Sequence, residues 1–140
     1  MYAVHPAVIH FPIALLLLGV VLSLTVLRRP DDFIERAAYG ALVIGWWTAL
    51  AGVVTGTAAV ALIWPLRPGT LPWINAHAAL GLALLVLFGR ALLWRRREPA
   101  VLRGPRRLRY IALLLAGAAM VVVDGWLGGH LVYRMGVGVR

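Results

Sequence analysis

The stretch AVIHFPIALLLLGVVLSLTVL (7–27) carries no acid, lysine or arginine and runs straight into Arg28-Arg29-Pro30. As a helix rising about 1.5 Å per residue it is about 30 Å long, the thickness of a bilayer's hydrocarbon core. Three further apolar runs follow, about 37–63, 76–94 and 110–133, stopped respectively by Trp64-Pro65, by Arg95-Arg96-Arg97 and by the polar tail after Tyr133. A spanning segment must satisfy its own backbone hydrogen bonds in lipid, so each run reads as a helix. The connections are short, which makes neighbouring helices antiparallel. The expected fold is all-α, an integral-membrane up-down-up-down four-helix bundle forming a single domain over residues 1–140.

Composition agrees. The chain is 62% hydrophobic, where a soluble domain is about half apolar, and its mean hydropathy is +0.88. The N-terminal run lacks a basic leader and exceeds the apolar core of a signal peptide, so it reads as a span. There is no cysteine, which excludes disulfides and thiolate metal or iron–sulfur sites.

The formal charge is +9 and all fourteen cations are arginine. They cluster between apolar runs and not along one face, which argues against a nucleic-acid partner. Eleven (Arg28, Arg29, Arg36, Arg90, Arg95, Arg96, Arg97, Arg103, Arg106, Arg107, Arg109) fall on one side of the bundle, and three (Arg67, Arg134, Arg140) on the other. The positive-inside rule then puts both termini outside the cytoplasm. Trp64, Trp73 and Tyr133 mark the outer interface and Tyr39, Trp94 and Tyr110 the inner one.

This topology gathers all four histidines at the arginine-poor end: His5 and His10 at the start of the first span, His77 at the start of the third, His130 at the end of the fourth. Pro6 and Pro12 suit a helix's first turn. His5 and His10 are five apart and point about 140° apart on a helix, so one faces inward and the other does not grip the same ion. The first and third helices lie diagonally across an up-down bundle, so His10 and His77 are expected to meet across its core. Facing imidazoles there suit haem iron or, with His5 or His130 added, copper, zinc or iron. The bland alternative makes the histidines capping or interfacial residues.

Asp124 is the one acid inside a span, about 13 Å below Tyr133. A carboxyl at that depth seeks a partner inside the bundle: Thr48, Thr55 or Thr57 of the second helix, or a histidine whose ligand role it supports. Gly117 and Gly128 share its face. Gly52 and Gly56 form a GxxxG pair, read as close helix packing or as a slot, with Ala79, for a flat porphyrin. Trp46 and Trp47 fall near mid-bilayer, packing the core or lining a cofactor.

HPAVIHFPIALLLLG (5–19), AGVVTGTAA (51–59), INAHAALGLALLVLFGR (74–90) and GGHLVYRMGVGV (128–139) together resemble a four-helix bacterial membrane family, domain of unknown function 2231. The resemblance covers nearly the whole chain. It implies no assigned activity. Some members of that family are joined to a Rieske iron–sulfur domain, which implies redox work at the outer face. Its recurring histidines match His5, His10 and His77, whereas another polar residue more often stands at the position of His130.

Three functions follow as expectations. The first is a b-type haem electron-transfer subunit with the haem near the outer face, ligated by His10 and His77, with His5, His130 and Asp124 supporting. It would serve an extracytoplasmic electron carrier or a quinone. The second is a transition-metal site on the same histidines. The third is a cofactor-free structural subunit beside partner membrane subunits. No nucleophile–base pair, phosphate loop or paired carboxylates mark an enzyme acting alone.

Overall fold

The computed structural model describes residues 4–138. Arg140, counted above on the arginine-poor side, and the outermost residues of the expected domain lie outside them. Four helices account for the fold: α1 (Val4–Arg28), α2 (Asp32–Leu62), α3 (Leu71–Arg97) and α4 (Arg107–Tyr133). All four are long and apolar enough to cross a membrane. The described residues contain no strand.

The helices outrun the apolar runs at their polar ends. Asp31 caps α2, its Oδ1 accepting from the backbone N–H groups of Phe33 and Ile34 at 2.7 and 3.0 Å. That satisfies donors which would otherwise be orphaned, so α2 begins before the lipid-compatible segment does. At the far end of α3, Arg95, Arg96 and Arg97 are still helical. Charge ends a span; it does not end a helix.

Each helix approaches its neighbours in a ring, with α1 closing onto α4 and no close backbone approach along either diagonal among the described residues. The α1–α2 interface is the most extensive and α1–α4 the sparsest. Glycine explains the first. A Cβ on Gly19 would lie 2.6 Å from Leu42 Cγ, and one on Gly45 would lie 2.9 Å from Leu16 Cδ2. Each leucine is seated where the opposite helix has no side chain, the close approach by which helices associate in lipid.

The largest buried side chains, among them Leu42, Phe88, Tyr110 and Leu114, fill the middle of the bundle and its arginine-rich end. That end is sealed by the α3–α4 connection, where Val101 is fully buried and Leu102 nearly so. Buried Glu35 at the start of α2 pairs with Arg95 of α3 and, at 2.7 Å, with Arg103. Arg103 also reaches Asp32. Glu98 accepts from Trp94 Nε1 at 3.1 Å and from Arg106 at 3.0 Å. The Trp94 bond and the Arg106 guanidinium hold its carboxyl below the usual glutamate range. Three of the eleven clustered arginines thus tie the helices together.

Candidate functional site

Each helix carries a buried stripe in helical phase, its members three, four, seven or ten residues apart. On α1 it runs through Pro12, Leu16, Gly19 and Ser23; on α3 through Ile74, Leu84, Phe88 and Ala91; on α4 through Ile111, Leu114, Gly117, Val121 and Leu131. The same faces carry His5 beyond Pro12 on α1, His77 between Ile74 and Leu84 on α3, and Asp124 between Val121 and Leu131 on α4. The α2 stripe through Gly45 and Gly52 leads to Thr55. One polar side chain from every helix therefore converges where the apolar core gives out.

They are joined in two pairs. His77 Nδ1 lies 2.7 Å from Asp124 Oδ1, linking α3 to α4, and both side chains are largely buried. His5 Nδ1 lies 3.2 Å from Thr55 Oγ1, linking α1 to α2. The Thr55 hydroxyl donates to the Ala51 and Gly52 carbonyls of its own helix at 2.9 and 3.0 Å. With its only hydrogen so used, Thr55 accepts from His5 Nδ1–H. The Asp124 carboxylate likewise accepts from His77 Nδ1–H. In each neutral imidazole Nε2 then keeps its lone pair. The two rings, from diagonal helices, have centroids 6.3 Å apart and planes inclined at 70°.

The glycines here hold the imidazoles close. A Cβ on Gly56 would fall 2.9 Å from His5 Cε1, and one on Gly128 would fall 3.4 Å from His77 Cε1. The slot expected at Gly52 and Gly56 is taken by this chain's own side chains: Ile9 covers Gly52 at 3.6 Å and the His5 ring covers Gly56. Ala79 is exposed. The roomier flank is α1–α4, where a side chain built on Gly125 would meet only Ile13, at 4.0 Å.

His10 does not face His77. It is exposed on the outside of α1, with Nδ1 2.6 Å from the Pro6 carbonyl. The helix runs unbroken through both prolines, so the two histidines diverge as their spacing requires. The stripe through Leu16 and Gly19 selects His5 for the interior. His130 is also outside the pairings: its ring stacks on Trp73 at 4.5 Å and on Trp126 at 5.5 Å. Asp124 bonds His77 and no threonine of α2. Trp46 donates Nε1–H to the Leu85 carbonyl at 2.8 Å, and Trp47 points away from the core, 61% exposed. Thr55, expected as a partner for Asp124, bonds His5 instead, as its phase on the α2 stripe signals.

A family model described as a predicted membrane protein, DUF2231, matches residues 1–140. The chain belongs to the DUF2231 family. No curated protein and no solved structure matches it. In this DUF2231 chain His5 and His77 lie inside the bundle and His10 outside, so the three histidines that carry the resemblance do not form one cluster.

Proposed function

We propose that the chain is a b-type haem electron-transfer subunit of the bacterial inner membrane, with His5 and His77 as the axial ligands. The observation that carries this reading is the pair of imidazoles brought together from α1 and α3, each with Nδ1 engaged by a neighbouring side chain. A metal–imidazole bond of about 2.0–2.1 Å, with the ring nitrogen about 1 Å from the ring centre, sets two imidazoles on one metal about 6 Å apart, centre to centre. The two rings here have centroids 6.3 Å apart.

The donor set also fits. Haem brings four nitrogens of its own and asks the protein for two, the number this site offers. Among the described residues no group of three His, Cys, Asp or Glu side chains is arranged to hold a bare ion. When bound, the haem would supply reversible one-electron chemistry. The protein's own part is orientation: Asp124 fixes the tautomer of His77 and raises its basicity as a ligand, Thr55 fixes that of His5, and Gly56 and Gly128 let both rings sit against helix backbone. The arginine asymmetry puts this end at the extracytoplasmic face, within reach of an extracytoplasmic carrier, a quinone or a partner membrane subunit.

The visible spectrum of detergent-purified protein from haem-sufficient cells tests the reading. A low-spin spectrum is expected. His5→Ala and His77→Ala should each convert or abolish it, while His10→Ala and His130→Ala should leave it in place. A colourless protein that binds copper, zinc or iron through His5 and His77 would replace the haem by a metal ion. A protein that binds neither would leave a structural subunit.

A further inference from the structure

We propose that the cleft between α2 and α3 at the arginine-rich end binds an anionic phospholipid, with Arg90 and Arg97 holding the phosphate and one acyl chain lying along Trp46, Leu85 and Val86. The cleft has a volume of about 690 Å³, within the range of roughly 300–1,000 Å³ common for ligand sites. It shares no residue with the histidine site, so it stands or falls independently of the haem.

Its shape follows from the sequence. On α3, Val86, Arg90, Leu93 and Arg97 are spaced four, three and four and so form one face; all four are exposed. Across from them Trp46 of α2 lies on the α3 backbone, its Nε1 donating to the Leu85 carbonyl. A Cβ on Gly89 would stand 3.2 Å from that nitrogen. Glycine thus lets the indole form the floor of the cleft.

The polarity of the cleft selects the occupant. Trp46 has used its N–H on Leu85, and Trp94 has used its own on Glu98. The donors left to a ligand are the two guanidinium groups, and neither is paired with a carboxylate among the described residues. Both sit at one end: Arg97 closes α3, and Arg90 lies about 10 Å deeper, from where a long side chain reaches back to the interface. A molecule complementary to this surface has an anionic head at the arginine-rich end and an apolar tail above it. A lipid phosphate meets a guanidinium through paired hydrogen bonds, and basic recesses between membrane helices bind anionic headgroups.

The test is native mass spectrometry of the full chain in detergent, with phosphatidylglycerol and phosphatidylcholine offered in equal amounts. Wild type should retain phosphatidylglycerol preferentially. Arg90→Gln with Arg97→Gln should weaken that retention by about fivefold per arginine, or about 25-fold for the pair. Arg28→Gln with Arg29→Gln removes the same charge at the same end but away from the cleft, and should lower retention clearly less than the cleft pair does. Val86→Trp fills the apolar part with both arginines intact and should also lower retention, which keeps the test decisive if the double variant fails to fold. Equal retention of both lipids, equal loss in both arginine pairs, or a cleft that binds a second copy of the chain in place of lipid would each overturn the proposal.

Discussion

His77 and Asp124 meet 2.7 Å apart across the α3–α4 interface, inside a segment that is otherwise apolar. A carboxylate on the far nitrogen of a ligating imidazole orients the ring and strengthens it as a donor. Asp124→Asn keeps the size and an acceptor oxygen but removes the charge. It should weaken haem retention about 10- to 100-fold with helical content unchanged, read by haem titration beside circular dichroism. Unaltered retention would make the pair a purely structural contact.

Gly56 separates close approach from general tolerance to substitution. A Cβ there meets the His5 ring at 2.9 Å, whereas one on Gly40, in the same helix, meets nothing within 4 Å. If haem is bound as proposed, Gly56→Val should displace His5 and leave it with one histidine ligand, seen as a high-spin spectrum. Gly40→Ala should leave the spectrum unchanged. Identical spectra for the two variants would mean that His5 is not held against α2.

The buried Glu35 carboxylate answers two arginines, Arg95 and Arg103. Glu35→Gln leaves buried positive charge uncompensated, and breaking such a pair costs about 3–5 kcal/mol. The expected result is a lowered midpoint of thermal unfolding in detergent. A midpoint within a degree or two of wild type would show that water reaches this cluster freely.

Glu98 adds a pH dependence at the same end. Its carboxyl is held below the usual range by Trp94 and Arg106. The unfolded chain therefore binds the proton more readily, and the stabilisation is present above the ordinary glutamate pKa and lost as pH falls through the lowered folded value. Thermal midpoints should decline on acidification, and Glu98→Gln should flatten that decline. An unflattened profile would assign the acid sensitivity to other carboxylates.

Orientation is open to a direct measurement. A reporter fused after Arg140 that matures only outside the cytoplasm should be active, and one inserted at Pro99, in the arginine-rich connection, should not. The reverse pattern would put the histidine pairs at the cytoplasmic face.

The helices and their order were legible because lipid leaves a chain few choices. The rotation of each helix was legible too, but only by carrying the glycine and leucine stripe outward. Proline and histidine crowd the start of α1 and drew the reading to His10, although the phase of Leu16 and Gly19 already favoured His5. The Glu35–Arg95–Arg103 cluster was hidden for another reason. Glu35 is dozens of residues from both arginines, and arginine beside a membrane span carries a topological meaning that masks pairing. The contact of Thr55 with His5 joins the start of one long helix to the far end of the next, and only the phase of the α2 stripe signals it.

The division of the polar residues between helices has a constructional consequence. The α1–α2 hairpin carries His5 with Thr55 already beside it, and the α3–α4 hairpin carries His77 with Asp124. Each half of the protein is a finished jaw, and the segment 63–70 that joins them holds none of the four. Two hairpins made as separate polypeptides therefore contain every group needed to rebuild the grip once they dock in the same bilayer.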